Sequence, residues 1–351
     1  MASSVQHSGT DAGAGGSQLQ SRPLAASAIL IGGTALLAFG IALSISFGAA
    51  SIGLKEVWGA MFAFNPELTN HQIIQELRMP RAVAAALVGA ALAVAGTLMQ
   101  GMTRNPLADS GLLGINAGAG FVLAVCFAFF PGLSFGTLIL FSFVGAGLGA
   151  GLVFGVGSLA QGGLSPVRLA IAGAAVTALL TALSEGIALH FQIGQDLAFW
   201  YAGGVQGVQW KEIMRIGPWI VAALAGSMLL SRSITVLSLG EEVAASLGQR
   251  NRLVKALASL AVLVLAGAAV AVAGMIGFVG LMIPHLTRYL VGRDYRWIIS
   301  CSAVLGALLL VLGDLAARMI NPPEETPVAA LIALIGVPFF LYLARNERRE
   351  L

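Results

Sequence analysis

The sequence predicts an all-α membrane protein, a polytopic bundle of about ten transmembrane helices with both termini in the cytoplasm. Three observations predict this fold class. First, 58% of the 351 residues are hydrophobic and only 10% are charged, whereas a soluble domain carries about 25% charged residues. Second, ten apolar windows run through the chain. Third, lysine and arginine residues are distributed unevenly between the loops, and this asymmetry sets an orientation in the membrane.

Each apolar window is continuous and rich in glycine and alanine, and about 20 such residues suffice for a helix to cross the hydrocarbon core. Strands of a membrane barrel would instead show alternating segments of about ten residues. The window at residues 275–290 is the weakest, because it is short and contains Pro284 and His285. The ten windows are residues 24–47, 82–102, 111–130, 138–159, 169–189, 213–230, 253–273, 275–290, 298–315 and 328–343.

Residues 1–22 have no apolar periodicity, so they are predicted to be a disordered cytoplasmic tail, and residues 23–351 to be one ten-helix transmembrane domain. The two cysteines, Cys126 and Cys301, fall inside apolar windows and are predicted to be small core residues. The positive-inside rule puts the N-terminus in the cytoplasm, because most of the 19 lysines and arginines then lie inside. The outer side receives Lys55, Arg78, Arg81, Lys211, Arg215 and Arg318.

Several function classes are excluded by missing motifs. The chain has three lysines, Lys55, Lys211 and Lys255, and none follows a glycine, so the phosphate-binding motif G-x-x-x-x-G-K-[ST] is absent. Its four histidines form no H-E-x-x-H zinc motif. We therefore expect no ATP site, no metal site and no bound cofactor in this chain, and no nucleic-acid partner.

The longest predicted cytoplasmic loop, residues 232–252, contains a short amphipathic pattern at residues 237–247. Glu241 and Glu242 would occupy the first turn of a helix, where the helix dipole favours acidic side chains, and Gly248 is placed to end it. Two interpretations are open. The helix could lie on the membrane surface, or it could dock in a groove of a cytoplasmic partner.

Arginines on the predicted outer side are the second unusual feature, because the positive-inside rule disfavours them there. Arg78 and Arg81 flank Pro80 just before the second window, and Arg318 follows Asp314 at the outer end of the ninth window. These side chains could extend to lipid headgroups. Alternatively, they could form a basic docking surface for an acidic extracytoplasmic partner, because a guanidinium group pairs with a carboxylate through two hydrogen bonds.

Several segments together resemble one family, the FecCD-type permease subunits of ATP-binding-cassette importers for iron-siderophores, haem and cobalamin. The resemblance extends from about residue 78 to the C-terminus. The segments are RMPRAVAAALVGAALAVAG at residues 78–96, NPLADSGLLG at 105–114, FWYAGGVQGVQW at 199–210, LSLGEEVAASLG at 237–248, GFVGLMIPHLTR at 277–288, DLAAR at 314–318 and ETPVAALIALIGVPFF at 325–340.

The resemblance implies a permease dimer in the bacterial cytoplasmic membrane, with ten helices per subunit around a central path. It also implies a cytoplasmic ATPase that uses ATP and magnesium, and an extracytoplasmic binding protein that delivers the cargo. Arg78, Arg81 and Arg318 match family arginines that pair with glutamates of the binding protein, and Ser165 and Pro166 match the cytoplasmic gate region. The residues that match the ATPase-coupling loop are Leu239, Gly240, Glu241, Ala245, Leu247 and Gly248.

The cargo expected from this resemblance is a ferric siderophore, with cobalamin or haem as alternatives, and the dimer could pair identical or sister subunits. A transporter driven by an ion gradient is the competing class. It would require acidic or polar residues near the middle of the membrane to bind the ion, whereas the acidic residues here lie in loops or near window ends. No constellation typical of a membrane-embedded enzyme is present in the sequence.

Overall fold

Long apolar segments form helices in a membrane because lipid offers no hydrogen-bond partners, so the backbone groups must pair within each segment. In the computed structural model, each of the ten predicted windows overlaps a helix. Within the described residues there is no β-strand, and an isolated bridge joins Ser21 to Gly292. The all-α prediction is confirmed for this part of the chain. The structure describes residues 21–48, 52–159, 166–322 and 324–347.

Four short helices, α2, α3, α8 and α10, add to the helices that the apolar windows predicted, and a π-helical turn at Ile73–Arg78 joins α3 to α4. The helices are α1 (Pro23–Ser46), α2 (Leu54–Phe62), α3 (Thr69–Gln72), α4 (Met79–Thr103), α5 (Ile115–Phe129), α6 (Phe135–Leu159), α7 (Pro166–Phe191), α8 (Gly194–Tyr201), α9 (Trp210–Ser238), α10 (Glu241–Ser246), α11 (Asn251–Ala273), α12 (Val279–Val291), α13 (Tyr295–Ile320) and α14 (Val328–Glu347).

Seven helical segments of the described chain are long and apolar enough to cross a membrane. They are α1, the run Thr69–Thr103 that includes α4, and α6, α7, α9, α11 and α13. Helix α5 has 15 residues and α12 has 13, and a helix of 13 residues is only about 20 Å long. The crossing of the membrane by all ten helices therefore stays a prediction.

The prediction for residues 275–290 was wrong over the first four residues, because α12 begins only at Val279. Gly274 ends α11 with a φ of +66°, and Phe278 has the same φ. A β-carbon at residue 274 would overlap the carbonyl oxygen of Trp200. The chain therefore leaves α11 along an irregular, non-helical path and resumes a helix at Val279.

The predicted loop at residues 232–252 is also shorter than expected. Helix α9 runs to Ser238 and α11 begins at Asn251, which leaves residues 239–250 between them. The hydroxyl groups of polar residues at the end of α9 find their partners within the helix, because they donate to its own carbonyls. Thr235 Oγ1 donates to the carbonyl of Ser231 at 2.9 Å, and Ser238 Oγ donates to the carbonyl of Thr235 at 2.7 Å.

Helix α4 is the centre of the bundle, since 83% of its most apolar window is buried and it packs against α9, α11, α12 and α13. Glycines allow these backbones to approach closely. A β-carbon at Gly89 would overlap the carbonyl of Gly306 in α13, and one at Gly96 would overlap the carbonyl of Gly280 in α12. Small residues therefore determine how closely α4 and its neighbours pack.

Contacts between helix ends define two opposite ends of the bundle. At one end, Arg22 N donates to the carbonyl of Val291 at 3.0 Å, and Tyr295 N donates to Thr235 Oγ1 at 3.1 Å. The start of α1 therefore lies at the same end as the residues that follow α9. At the other end, Arg78 binds the C-terminal carbonyls of α1.

Candidate functional site: an arginine cluster and an exposed helical segment

The three arginines that the sequence singled out meet at one end of the bundle, and we call Arg78, Arg81, Asp314, Arg318 and Glu325 the arginine cluster. Arg81 Nη2 lies 2.9 Å from Asp314 Oδ1, and Arg81 Nη1 lies 2.6 Å from Glu325 Oε1. Arg318 Nη2 lies 3.2 Å from the second oxygen of Asp314. One buried carboxylate thus bridges two arginines from different helices.

The other contacts of the cluster are with the C-terminal end of α1. Arg78 Nη1 donates to the carbonyls of Ile45 and Ser46 at 2.7 and 2.9 Å, and Arg318 Nη2 donates to Ser44 Oγ at 2.6 Å. The last carbonyls of a helix have no partners within the helix and carry a partial negative charge, so a guanidinium group is favourable there. The cluster thereby joins the ends of α1, α4 and α13.

Most of the arginine cluster is buried. Arg78 and Arg318 are each 8% exposed, the side chain of Asp314 is 1% exposed, and that of Glu325 is 36% exposed. The arginines bind protein groups and do not extend away from the bundle as isolated side chains. Glu325 and Ser44 were missed by the sequence analysis. The ion pair of Asp314 with Arg318 could have been predicted from the sequence, because residues four apart share a helix face.

The 239–250 segment forms the second candidate site, at the opposite end of the bundle. Within it, three exposed residues four positions apart form an apolar stripe: Leu239 lies just before α10, Val243 within it and Leu247 just after it, and they are 49%, 44% and 68% exposed. Ala244 faces the protein and is fully buried. Ala245, also predicted to be part of the site, is exposed.

Glycines set the limits of this short helix. Gly240 has a φ of +134° and Gly248 a φ of +79°, in the region that side chains other than glycine rarely adopt. The first allows the chain to turn sharply after α9, and the second ends α10. The structure therefore gives a physical reason for two of the glycines that the sequence placed in the coupling loop.

Polar contacts hold the segment against α9 and α11. Lys255 Nζ lies 2.6 Å from Glu241 Oε1, and Asn251 Nδ2 donates to the carbonyl of Glu241 at 2.8 Å. Gln249 Nε2 donates to the carbonyl of Ser233 at 3.1 Å. The apolar stripe is therefore displayed on a helix whose base is fastened to two long helices.

The 104–110 loop connects α4 to the short 3₁₀ turn Ser110–Leu113. Asn105 Oδ1 accepts a hydrogen bond from Leu107 N at 2.9 Å, a turn typical of asparagine before proline. Burial raises the pKa of the Asp109 carboxyl above its usual range. The predicted gate residues are described only in part, since Ser165 lies outside the described residues and Pro166 begins α7.

The described chain is a helical bundle with seven segments long and apolar enough to cross a membrane, an ion cluster at one end and an exposed apolar stripe at the other, which are the features of a polytopic membrane protein with a surface at each end. The model of the FecCD transport family matches residues 36–346, most of the chain. The protein belongs to the FecCD transport family, which confirms the resemblance identified in the sequence. It is a multi-pass protein of the bacterial cytoplasmic membrane.

Known relatives are permeases of iron and haem systems. The iron(3+)-hydroxamate import system permease protein FhuB of Bacillus subtilis is 56% identical over 337 residues, covering 95% of this chain and 87% of that protein. The ferric enterobactin transport system permease protein FepD of Escherichia coli is 39% identical, covering 95% and 98%. The hemin transport system permease protein HmuU of Yersinia pestis is 36% identical, covering 88% and 92%.

A solved structure is also similar along nearly the whole chain. It is described as an inward-facing conformation of a metal-chelate type ABC transporter, and it superimposes with a TM-score of 0.79 at 29% sequence identity. The superposition covers 91% of this chain and 99% of the other. The fold is therefore that of an ABC transporter permease.

Proposed function

We propose that this chain is the permease subunit of an ATP-driven importer that moves a ferric siderophore into the cell. The observation that carries the proposal is the apolar stripe of the 239–250 segment, displayed on a fastened helix in a chain that has no phosphate-binding motif of its own. Such a chain needs a separate ATPase, and the stripe suits a groove on that ATPase. The cargo is inferred from the hydroxamate and enterobactin systems of its relatives.

Ten crossings with both termini in the cytoplasm are part of the proposal. Support comes from the ten windows, all of which overlap helices, and from the start of α1 lying beside Val291 at the end of α12. That end also contains the 239–250 segment and Arg104, whose guanidinium lies near Gly240. The arginine cluster then faces outward, at the opposite end of α4.

In the proposed cycle, a loaded binding protein docks on the outer face and ATP binding closes a pair of ATPase subunits. Each ATPase moves the 239–250 segment of one permease, and the helices tilt to alternate access to the central path. Leu239 and Leu247 supply apolar contact, Gly240 and Gly248 the sharp turns, and Glu241 the link to Lys255. Ala245 adds exposed surface, and Ser165 and Pro166 belong to the cytoplasmic gate.

Docking of the binding protein is proposed to involve the arginine cluster. The cluster contains three guanidinium groups and two carboxylates, so it carries a surplus of one positive charge. Glu325 is its most exposed acidic member and would compete with an incoming carboxylate for Arg81. Such contacts orient a partner and speed its arrival more than they add affinity.

The proposal assigns no metal or cofactor to this chain. Iron would cross the membrane inside its chelator, as cargo. A second permease subunit, identical or sister, would complete the central path, and lipid would surround the exposed apolar faces of helices such as α6. Exposed residues on α6 include Val144 and Val156, at 61% and 49%.

The test is uptake of a radiolabelled ferric trishydroxamate into liposomes that contain the permease, its candidate ATPase and its binding protein. We expect uptake that requires ATP. Uptake that ignores ATP but follows an imposed proton or sodium gradient would support the ion-driven class instead. Labelled haem and cobalamin, offered in parallel, test the alternative cargoes.

Arg81→Glu in the same assay tests the docking role. Reversing this charge is expected to lower uptake about tenfold or more, the equivalent of about 1.4 kcal/mol of lost binding. Lys211→Glu is the matched control, because Lys211 is exposed and predicted to lie on the same side. Equal uptake by both variants, with the ATPase complex intact, would remove the cluster from docking.

A further inference from the structure

Pro284 creates an unusual polar site inside the bundle. Proline has no backbone N–H, so within α12 it cannot bond to the carbonyl four residues earlier, that of Gly280. The side chain of Gln100 in α4 replaces the missing donor. Gln100 Nε2 donates to the carbonyl of Gly280 at 3.2 Å and to that of Leu281 at 3.4 Å.

The other atom of the same amide is used as well. Gln100 Oε1 accepts a hydrogen bond from Arg288 Nη2 at 2.7 Å, and Gln100 is only 2% exposed. One amide therefore joins both ends of α12 to α4. The contact between Gly96 and Gly280 holds the two helices so close that the amide has little room to shift.

Arg288 extends this contact toward the 239–250 segment. Its guanidinium interacts with the side chain of Tyr295 at the start of α13, and the ring of Tyr295 packs on Gly101 of α4. Tyr295 N donates to Thr235 Oγ1 at 3.1 Å. Thr235 is in the last turn of α9, directly before the 239–250 segment.

The contacts described so far connect Thr235, Tyr295, Arg288 and Gln100. Beyond Gln100, the start of α12 contacts the 104–110 loop. Asp109 Oδ1 lies against Gly280, 2.7 Å from the position of a β-carbon there. Leu107 lines a small cavity together with Leu281 and Met282. The residues that Gln100 holds are therefore the same ones that touch the loop.

We propose that Gln100 and Arg288 are positioning residues that couple movement of the 239–250 segment to the 104–110 loop. The inference rests on the proposed function, because the ATPase supplies the movement. A displacement at the end of α9 moves Tyr295 and Arg288, and the Gln100 amide transfers it to the start of α12. Closely packed interfaces of this kind switch between discrete arrangements and do not deform gradually.

The experiment measures the loop directly and needs no knowledge of the cargo. The permease carrying Leu107→Cys is assembled with its ATPase in liposomes, and the rate of maleimide labelling is compared with and without a non-hydrolysable ATP analogue. Leu107 is 37% exposed, whereas the native Cys126 and Cys301 are at most 3% exposed, so the background is low. We expect the analogue to change the labelling rate about fivefold or more.

The Leu107→Cys permease is the parent protein. Gln100→Met or Arg288→Met, each added to this parent, is expected to abolish the change in labelling rate caused by the nucleotide. The double variant should show no larger loss of that change than either single variant. Gln100→Asn shortens the amide by one methylene, so it cannot reach both partners; it should also lose the response, and it replaces Gln100→Met if that variant does not assemble. Thr287→Val is the control. It removes a buried hydroxyl that contacts Ser302 between α12 and α13, one residue from Arg288, and should keep the response.

The outcomes separate the two proposals. Loss of ATP-dependent uptake in the parent with its ATPase bound would overturn the proposed function and this inference together, whereas a parent that takes up cargo with ATP but shows no change in labelling would overturn the inference alone. A parent that responds, with Gln100→Met or Gln100→Asn responding as fully as Thr287→Val, would overturn the inference alone. A general loss of folding would instead abolish ATPase binding in the variant, which is measured by co-purification.

Discussion

Asp314 is the residue on which the arginine cluster depends. Its carboxylate is 1% exposed and contacts both Arg81 and Arg318. A buried charge is tolerated only when it is paired, and here one carboxylate neutralises the repulsion between two guanidinium groups. Loss of this carboxylate would leave two like charges side by side. Asp314 therefore orients the arginines, whichever surface they serve.

Asp109 shows the opposite situation, because this carboxyl is buried and forms no salt bridge with any residue that the structure describes. It contacts Ser110, whose Oγ lies 3.5 Å from Asp109 Oδ1, and backbone N–H groups of Ser110 and Gly111. Burial favours the neutral form of an acid and so raises the pKa of Asp109. The folded state is stabilised by this group below the unfolded pKa of about 3.9, and that contribution is lost as pH rises through the folded pKa.

Asp109→Asn is therefore expected to raise the melting temperature at about pH 8, because the neutral amide avoids the cost of burying a charge. The difference from the unsubstituted protein should shrink as the pH falls toward about 5. The melting temperatures of both proteins are measured in detergent at both pH values, with tryptophan fluorescence as the signal for unfolding. A substituted protein that melts lower than the original at the higher pH would contradict the argument.

At the scale of elements, α10 shows how a short helix can be stable in position without much intrinsic helix stability. Six residues are too few for an isolated helix to persist in water. The contacts of Glu241 with Lys255 and Asn251 provide the stability that so short a helix does not have by itself. A rigid base and an exposed apolar stripe are the features expected of a docking element.

Leu247→Glu should weaken binding of the ATPase, because it places a charge in the most exposed position of the stripe. A central apolar contact of an interface is worth about 2 kcal/mol or more, so the dissociation constant is expected to rise about thirtyfold or more. Ser246→Glu adds the same charge beside the stripe and serves as control. Co-purification or interferometry measures ATPase binding by the two variants. Equal affinity of both variants for the ATPase would argue against the stripe as the contact surface.

At the scale of the whole molecule, α4 organises the bundle. It packs mainly against α9, α11, α12 and α13. It begins at the arginine cluster, and at its other end Arg104 lies near Gly240. Its glycines allow the backbones of α12 and α13 to come into direct contact with it. Movement at either end of the protein must therefore be accommodated along this helix.

Gly96→Ala should destabilise the whole bundle, because a β-carbon there overlaps a backbone carbonyl that cannot move aside. We expect a loss of about 3 kcal/mol or more, the upper range for overpacking. Gly151→Ala in α6 is the control, since nothing lies within 4 Å of its β-carbon position, and alanine is favoured over glycine in a helix by about 1 kcal/mol. The melting temperatures of the Gly96→Ala and Gly151→Ala proteins are compared in detergent. Equal melting temperatures would contradict the packing argument.

The amino-acid sequence by itself determined the fold class, the family and the positions of the apolar helices. It could do so because burial in lipid imposes long apolar windows and because motifs such as the glycines of the 239–250 segment are local. The irregular residues before α12 and the true ends of α9 and α11 were not predictable from apolar windows. Their conformations depend on Gly274 packing on Trp200 and on hydroxyl groups that bond within a helix.

Only the tertiary structure decided which residues meet. Arg81 is 233 positions from Asp314 and 244 from Glu325, and Gln100 is 188 positions from Arg288. No local pattern pairs such distant residues, because their contacts depend on how glycine-rich helices pack against one another. The sequence identified the arginines as unusual; the packing of α1, α4 and α13 made them a cluster and put the Gln100 amide beside the carbonyl that Pro284 leaves without a donor.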